Sequence, residues 1–149
     1  MRYFLDTEYN GWGGALLSLA LVPDDGEELY LTLDWEGPLD AWVERNVVPY
    51  LDSVPENLLS PRTGRADAAR GVAHYLAGDA DPLIVADWPE DLALFNALLV
   101  TGPGVMAEVP PLTFRLAPLS GFSTAGNSRV PHNALHDARA LRDHILSLE

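Results

Sequence analysis

The sequence predicts an α/β domain in which helices cover a mixed β-sheet of about five strands. Short apolar runs come first along the chain, and helical and strand-like segments then alternate to its end. Such an order is typical of a sheet that combines antiparallel and parallel strands under helices. With 149 residues, 48% of them hydrophobic, the chain has the length and composition of one domain covering residues 1–149.

Turn residues and apolar runs locate the strands. A Pro-Asp-Asp-Gly turn at residues 23–26 joins the second and third runs as a hairpin. The fourth run, Leu-Ile-Val-Ala, is continuous rather than alternating, which is typical of a strand buried on both faces. The predicted strands are residues 2–7, 15–22, 29–33, 83–86 and 112–116.

Helices are predicted where apolar residues recur at steps of three and four. The last helix is the clearest, because Ala134, Ala138, Leu141 and Ile145 follow this spacing. The predicted helices are residues 39–48, 65–77, 89–99 and 134–148, with a turn at 101–104 and loops at 49–61 and 117–131.

The charge and cysteine content exclude several classes of protein. Twenty-two acidic and nine basic residues give a net charge of −13, and every basic residue is arginine. A chain this acidic does not coat nucleic acid through a broad basic face, although bound metal ions can supply positive charge at one site. The absence of cysteine excludes thiol catalysis and cysteine-ligated metals. No secretory signal or membrane-length apolar run is present, so we expect a cytoplasmic protein with no membrane contact.

Two acids occur at the end of the first predicted strand. Asp6 and Glu8 are two residues apart, so on a strand both side chains leave the same face. Two carboxylates on a buried strand need compensation, and a divalent metal ion supplies it. The alternative is that both acids lie in the following turn and are solvated.

A second pair of acids stands where the fourth strand meets the next helix. Asp91 shares a helical stripe with Phe95 and Leu98, which places its carboxylate on the inward face. The structural alternatives are that Asp87 caps this helix and that Asp91 is a favourable acid in its first turn.

The third group lies at the start of the last helix. Five residues of regular helix would turn His132 and Asp137 about 140° apart, so they converge only if His132 lies in the preceding loop. Pro131 favours that arrangement, and the small Ala134 and Ala138 allow the helix to approach the sheet closely.

The order of these groups resembles the DEDDh family of metal-dependent 3′–5′ exonucleases, and most closely its compact bacterial exoribonucleases. The resemblance runs from the D-x-E motif to H-x-A-L-x-D-A at residues 132–138. It implies a ribonuclease-H-like fold. The matching residues are Asp6, Glu8, Asp91, His132 and Asp137. Many relatives carry a His-Asn pair where this chain has Asp87-Trp88, so Asp87 remains an alternative to Asp91 as the second-motif ligand.

The resemblance also implies a mechanism. Asp6, Glu8, Asp91 and Asp137 would hold two Mg²⁺ or Mn²⁺ ions, about 3.5–4 Å apart in sites of this kind. His132 would take the proton from the attacking water as a general base, so activity is expected to fall in acid. The expected reaction releases nucleoside 5′-monophosphates from the 3′ end of single-stranded nucleic acid, with RNA favoured over short DNA by the family branch.

Residues beside the motifs are candidates for substrate binding. Tyr9, Trp12 and Trp88 are placed to stack bases, and they are equally interpretable as ordinary, partly buried aromatic residues. Backbone groups near residues 8–10, up to Asn10, are candidates for recognising the terminal sugar, including a 2′-OH. Arg129, with Arg139 and Arg142 of the last helix, is the nearest candidate for phosphate contact.

Two alternatives to the exonuclease remain open from the sequence. The first is a non-catalytic nucleotide-binding or nucleic-acid-binding module on the same fold. The second is a related endonuclease, which the spacing of His132 and Asp137 disfavours. Self-association into a homodimer is compatible with either, and with the exonuclease.

Overall fold

The structure is a computed structural model that describes residues 1–149, and it has the predicted sheet flanked by helices. The strands are β1 (Arg2–Tyr9), β2 (Leu16–Pro23), β3 (Leu29–Thr32), β4 (Leu83–Ala86), β5 (Val100–Gly102), β6 (Val105–Met106) and β7 (Thr113–Leu116). The helices are α1 (Ala41–Asn46), α2 (Arg65–Leu76), α3 (Pro89–Leu99), α4 (Thr124–Asn127) and α5 (Ala134–Ser147).

Five of the strands form one mixed sheet in the order β3-β2-β1-β4-β7. The first three strands are antiparallel, and β4 and β7 continue the sheet parallel to β1. This order is consistent with the ribonuclease-H-like arrangement that the resemblance implies. It makes β1 the central strand, so residues at its carboxyl end lie where both helical layers meet the sheet.

Side chains that alternate along the central strands divide the core into two layers. Leu5 and Ile84 pack against α2 and α3 on one face. Phe4 and Val85 pack against Leu141 and its neighbours in α5 on the other face. The continuous apolar run in β4 is therefore buried on both faces, as its sequence predicts.

The structure differs from the predicted local structure in three places. The turn predicted at residues 101–104 is the tip of a β-hairpin formed by β5 and β6, whose strands are too short for a periodic signal. The first helix is shorter than predicted, because Asp40 caps it through the backbone amides of Trp42 and Val43. The predicted loop at 117–131 contains the one-turn helix α4, which Ser123 caps.

The helices of the structure are short. None of them combines the length and the apolar character that crossing a bilayer requires.

Candidate metal centre

The first strand continues through both of its acids. Asp6 and Glu8 lie within β1, on the face covered by α5, and no more than 9% of either residue is exposed. The alternative of two solvated acids in a turn is therefore wrong. Asp137 enters from α5, and Asp91 enters from the first turn of α3, each with 3% exposure.

Six potential ligands form two clusters at this end of the sheet. Within each cluster one ligand atom from every residue lies within 4.8 Å of the others. The clusters are Asp6, Asp87 and Asp91, and Glu8, His132 and Asp137. The four predicted carboxylates and the predicted histidine thus converge, and the alternative ligand Asp87 lies beside Asp91.

Asp87 does not cap α3. Trp88 occupies the capping position, and no side chain accepts a hydrogen bond there. The structural alternative proposed for Asp87 from the sequence is therefore wrong, and its half-buried carboxylate is part of the first cluster.

Unpartnered oxygen atoms show that the clusters suit cations. Asp6 Oδ2 and Asp137 Oδ1 are buried and accept no hydrogen bond. Buried carboxylate oxygens normally accept hydrogen bonds, because leaving one without a partner destabilises the folded protein by about 1–3 kcal/mol or more. Each cluster holds one of these atoms, and oxygen-rich sites are what Mg²⁺ and Mn²⁺ prefer. The residues present therefore fit two divalent ions.

Burial and mutual repulsion raise the pKa values of the acids in both clusters. Burial, followed by the charges of Asp137 and Asp91, raises the pKa of Glu8 from 4.5 to about 8. Burial raises the pKa of Asp91 to about 7 and that of Asp137 to about 6. The pKa of Asp6 is raised by burial and then by its acidic neighbours, chiefly Asp91. Positive charge between these groups would offset both effects.

This acidity predicts how the stability of the metal-free protein depends on pH. Because the folded protein holds protons that the unfolded chain releases, stability is present in acid and is lost as pH rises from about 4.5 to about 8, the window set by Glu8. We expect the Tm in EDTA to fall by about 5 °C or more from pH 5.5 to pH 8.5. A shift of one pKa unit corresponds to about 1.4 kcal/mol of stability, and each kcal/mol changes the Tm of a domain of this size by about 2–4 °C.

Calorimetry with and without Mn²⁺ measures this effect, and Glu8→Gln is its control. The variant removes one titrating group, so its Tm should fall less with pH. Mn²⁺ should raise the Tm more at pH 8.5 than at pH 5.5, because binding releases protons from the site. A metal-free Tm that rises with pH would contradict the assignment of these groups.

Thr7 fixes the orientation of Asp91, a role that the sequence does not reveal. Its amide and hydroxyl both donate to Asp91 Oδ1, at 3.1 and 2.5 Å. These bonds link β1 to α3 and leave the other carboxylate oxygen of Asp91 for a ligand. Asp91 is the more buried of the two second-motif candidates, which favours it over Asp87.

Loss of the Thr7 hydroxyl is expected to weaken metal binding. Thr7→Val keeps the shape of the side chain but removes one donor, and partners of metal ligands typically contribute about 10–100-fold to affinity. We expect the Kd for Mn²⁺, measured by isothermal titration calorimetry, to rise about tenfold. Thr7→Ser, which retains the hydroxyl, should stay within about threefold of the wild type, and equal affinities in both variants would contradict this role.

His132 lies in the loop before α5, as the rotation argument requires. Its amide donates to Asp137 Oδ2 at 3.2 Å, which ties the loop to the second cluster. The backbone of His132 has a φ of 62°, in the left-handed region that non-glycine residues seldom adopt. Its imidazole packs edge-on against Trp42, with ring centroids 4.8 Å apart. The ring is thus packed against α1, with one of its nitrogens close to Glu8 and Asp137.

The clusters form the floor of a cleft of about 730 Å³. Tyr9, Trp12 and Trp88 line it, and the exposed fractions of the two tryptophans are 95% and 57%. The cleft is also lined by Asp40 and Trp42 of the α1 region and by residues 122–125, none of which the sequence singled out. No local motif marks them, because they meet the site only through the fold.

Tyr9, Trp12 and Trp88 form an aromatic wall of the cleft, and Glu90 holds two of these three residues in place. Its carboxylate accepts hydrogen bonds from the Tyr9 hydroxyl at 2.9 Å and from Trp88 Nε1 at 3.3 Å. Trp12 projects from a tight turn in which a Cβ on Gly14 would stand 1.8 Å from the Asn10 carbonyl oxygen. Only glycine fits there, so the turn that presents Trp12 depends on it.

Two predicted substrate-binding residues lie outside the cleft lining. The side chain of Asn10 bonds to backbone groups of Pro38 and Asp40, at 3.2 and 2.6 Å, and so joins the turn to the start of α1. Arg129 lines neighbouring cavities on the other side of His132. Arg139 and Arg142 are both paired with Glu28.

Comparison with known proteins gives no assignment. No model of a protein family matches the chain, and no curated protein matches its sequence. The site itself therefore has to carry any functional conclusion.

Proposed function

We propose that the protein is a metal-dependent 3′–5′ exonuclease. Its substrate would be single-stranded RNA, or short DNA, shortened from the 3′ end with release of nucleoside 5′-monophosphates. Asp6, Glu8, Asp91 and Asp137 would hold two Mg²⁺ or Mn²⁺ ions.

One observation carries this proposal: two adjoining clusters of acids, each with an unpartnered buried oxygen, lie at the floor of an aromatic cleft. A single structural ion would need only one cluster. Two clusters in contact with the same cleft suit a reaction in which negative charge develops on both sides of a phosphate. The order of the acids and His132 along the chain resembles DEDDh exonucleases and supports the same conclusion.

The chain's own groups have separable roles. Bound divalent ions would supply the positive charge that phosphodiester hydrolysis needs. His132, packed against Trp42 and tied to Asp137, would accept a proton from a water entering the second cluster. Thr7 orients Asp91, and the aromatic wall offers flat surfaces to the terminal bases.

The net charge favours short, single-stranded substrates. Ions in the site would neutralise only nearby charge, and a surface carrying −13 repels a long duplex. The preference for RNA over DNA rests on the resemblance alone.

The proposal is tested with 5′-labelled single-stranded RNA and its DNA counterpart. Each is incubated with the protein and Mn²⁺, Mg²⁺ or EDTA, and the products are resolved on a sequencing gel. We expect a ladder that shortens from the 3′ end with either metal and is absent in EDTA. A substrate with a blocked 3′ end should stay intact, and its internal cleavage would indicate the endonuclease instead.

Intact substrate with every metal would contradict the proposal. A gel-shift of the same RNA in that case would indicate the non-catalytic binding module.

A further inference from the structure

Three cavities adjoin one another around the loop that precedes α5. The catalytic cleft shares His132 with a second cavity of about 480 Å³, which is also lined by Tyr50. That cavity shares Arg129 with a third, of about 380 Å³, which is lined by Glu28 and by residues of α5. We call the second and third cavities together the upstream groove. It leads away from the cleft across His132.

Arginines are concentrated in this groove although the protein is acidic. Three of the nine arginines of the chain line it. Arg139 and Arg142 are paired with Glu28, which holds them in place and neutralises part of their charge. The ion pair between Arg139 and Glu28 includes an Nε hydrogen bond of 2.8 Å. These two residues therefore have structural partners already.

Arg129 has no such partner. Its guanidinium forms neither an ion pair nor a hydrogen bond, whereas six of the nine arginines of the chain form at least one of these. Arg45 and Arg115 are also unpaired, but neither lines the cleft or the groove. Arg129 is thus the one uncommitted cation that faces these cavities, and it stands at the junction of the two that form the groove.

Tyr50 provides a flat surface in the same groove. Its backbone is fixed, because the Tyr50 carbonyl accepts a hydrogen bond of 2.7 Å from Asn133 Nδ2 at the start of α5. The residue is nevertheless 43% exposed. An exposed aromatic ring on a rigid backbone is suited to stack a base, and such stacking tolerates any sequence.

We infer that the upstream groove binds the part of a single strand that lies 5′ to the scissile bond. Arg129 contacts a phosphate of that segment, and Tyr50 stacks one of its bases. This inference rests on the proposed function and narrows its substrate class to single-stranded oligonucleotides of several residues. A dinucleotide, held within the cleft, would not gain from the groove.

The test compares Arg129→Ala with Arg115→Ala, which removes the same charge from an exposed, unpaired arginine on β7. Initial rates are measured with Mn²⁺ on a single-stranded RNA octanucleotide and on a dinucleotide. We expect Arg129→Ala to raise the KM for the octanucleotide about tenfold, typical of one charged hydrogen bond, and that for the dinucleotide less than about twofold. Arg115→Ala should match the wild type on both substrates.

Salt dependence separates a phosphate contact from a general loss of charge. Each phosphate contact to a single strand contributes about 0.7 to the slope of log affinity against log salt concentration. The negative slope of log(1/KM) against log salt concentration for the octanucleotide should therefore become less steep by about 0.7 in Arg129→Ala. It should remain unchanged in Arg115→Ala.

Tyr50 gives an independent readout. Tyr50→Ala should raise the KM for the octanucleotide about fivefold or more, the lower end of what stacking of one base contributes. Tyr50→Phe, which keeps the ring, should restore the wild-type KM.

The outcomes distinguish the two proposals. If the wild type shortens both RNAs but Arg129→Ala and Arg115→Ala behave alike, the inferred role of the upstream groove is overturned, and the proposed exonuclease function is retained. If the wild type shortens neither RNA with any metal, the proposed function is overturned, and the groove falls with it.

Discussion

Asp6→Asn is expected to lower kcat by about a thousandfold or more, the upper range for loss of one group that stabilises developing charge. Asp6 lies at the centre of β1, and its Oδ2 is buried without a partner. The amide keeps the shape of the side chain but removes the negative charge that a cation requires. The loss should appear in kcat with both Mn²⁺ and Mg²⁺, measured on the labelled RNA.

The same substitution should stabilise the protein when metal is absent. Asp6 is surrounded by acids, and its pKa is raised by burial and then by Asp91 and Glu8. Removing its charge should raise the Tm in EDTA at pH 8 by about 2–4 °C for each kcal/mol of relieved repulsion. Mn²⁺ should then stabilise the variant less than it stabilises the wild type.

Asp25→Asn is the matched control, because Asp25 is an exposed acid in the hairpin turn. It should change neither kcat nor the Tm. An Asp6→Asn protein that is inactive and also less stable than wild type in EDTA would show a structural defect rather than loss of a metal ligand.

His132→Asn is expected to lower kcat by about 10²–10⁴-fold, the usual contribution of a general base. Asparagine is the appropriate replacement, because His132 has a φ of 62° and asparagine tolerates this conformation better than alanine.

The Kd for Mn²⁺ distinguishes the two roles open to His132, whose ring lies in the second cluster. A general base leaves the Kd of the Asn variant within about twofold of wild type. A rise of about tenfold or more, the range that follows from loss of a group supporting the metal, would assign His132 as a ligand instead. Retained turnover would contradict both roles.

Much of the sheet and its acids follow from local sequence patterns. Three patterns predicted their elements correctly: the turn of the β2–β3 hairpin, the continuous apolar run of β4 and the apolar stripe of α5. The apolar residues of these elements are the ones that the fold buries. The same reasoning placed Asp91 inward, because a stripe shared with Phe95 and Leu98 faces the core. Once the central strand is known, Asp6 and Glu8 must share a face.

The remainder of the site depends on contacts between distant segments. Thr7 bonds to Asp91 across 84 positions, and Trp42 of α1 contacts His132 in the loop before α5. Glu90 reads as an ordinary acid in a first helical turn, although it holds two aromatic residues of the cleft. Neither periodicity nor spacing carries information about such pairs. The β5–β6 hairpin was missed for a related reason, since two or three residues per strand give no pattern.

Crystals soaked in Mn²⁺ and measured for anomalous scattering would test the central claim most directly. The claim is that two ions bind between the carboxylates of β1, α3 and α5. It predicts two anomalous peaks about 3.5–4 Å apart, one near Asp6 and Asp91 and the other near Glu8 and Asp137. Soaked crystals without peaks at these carboxylates, or with Mn²⁺ bound only elsewhere on the acidic surface, would contradict it.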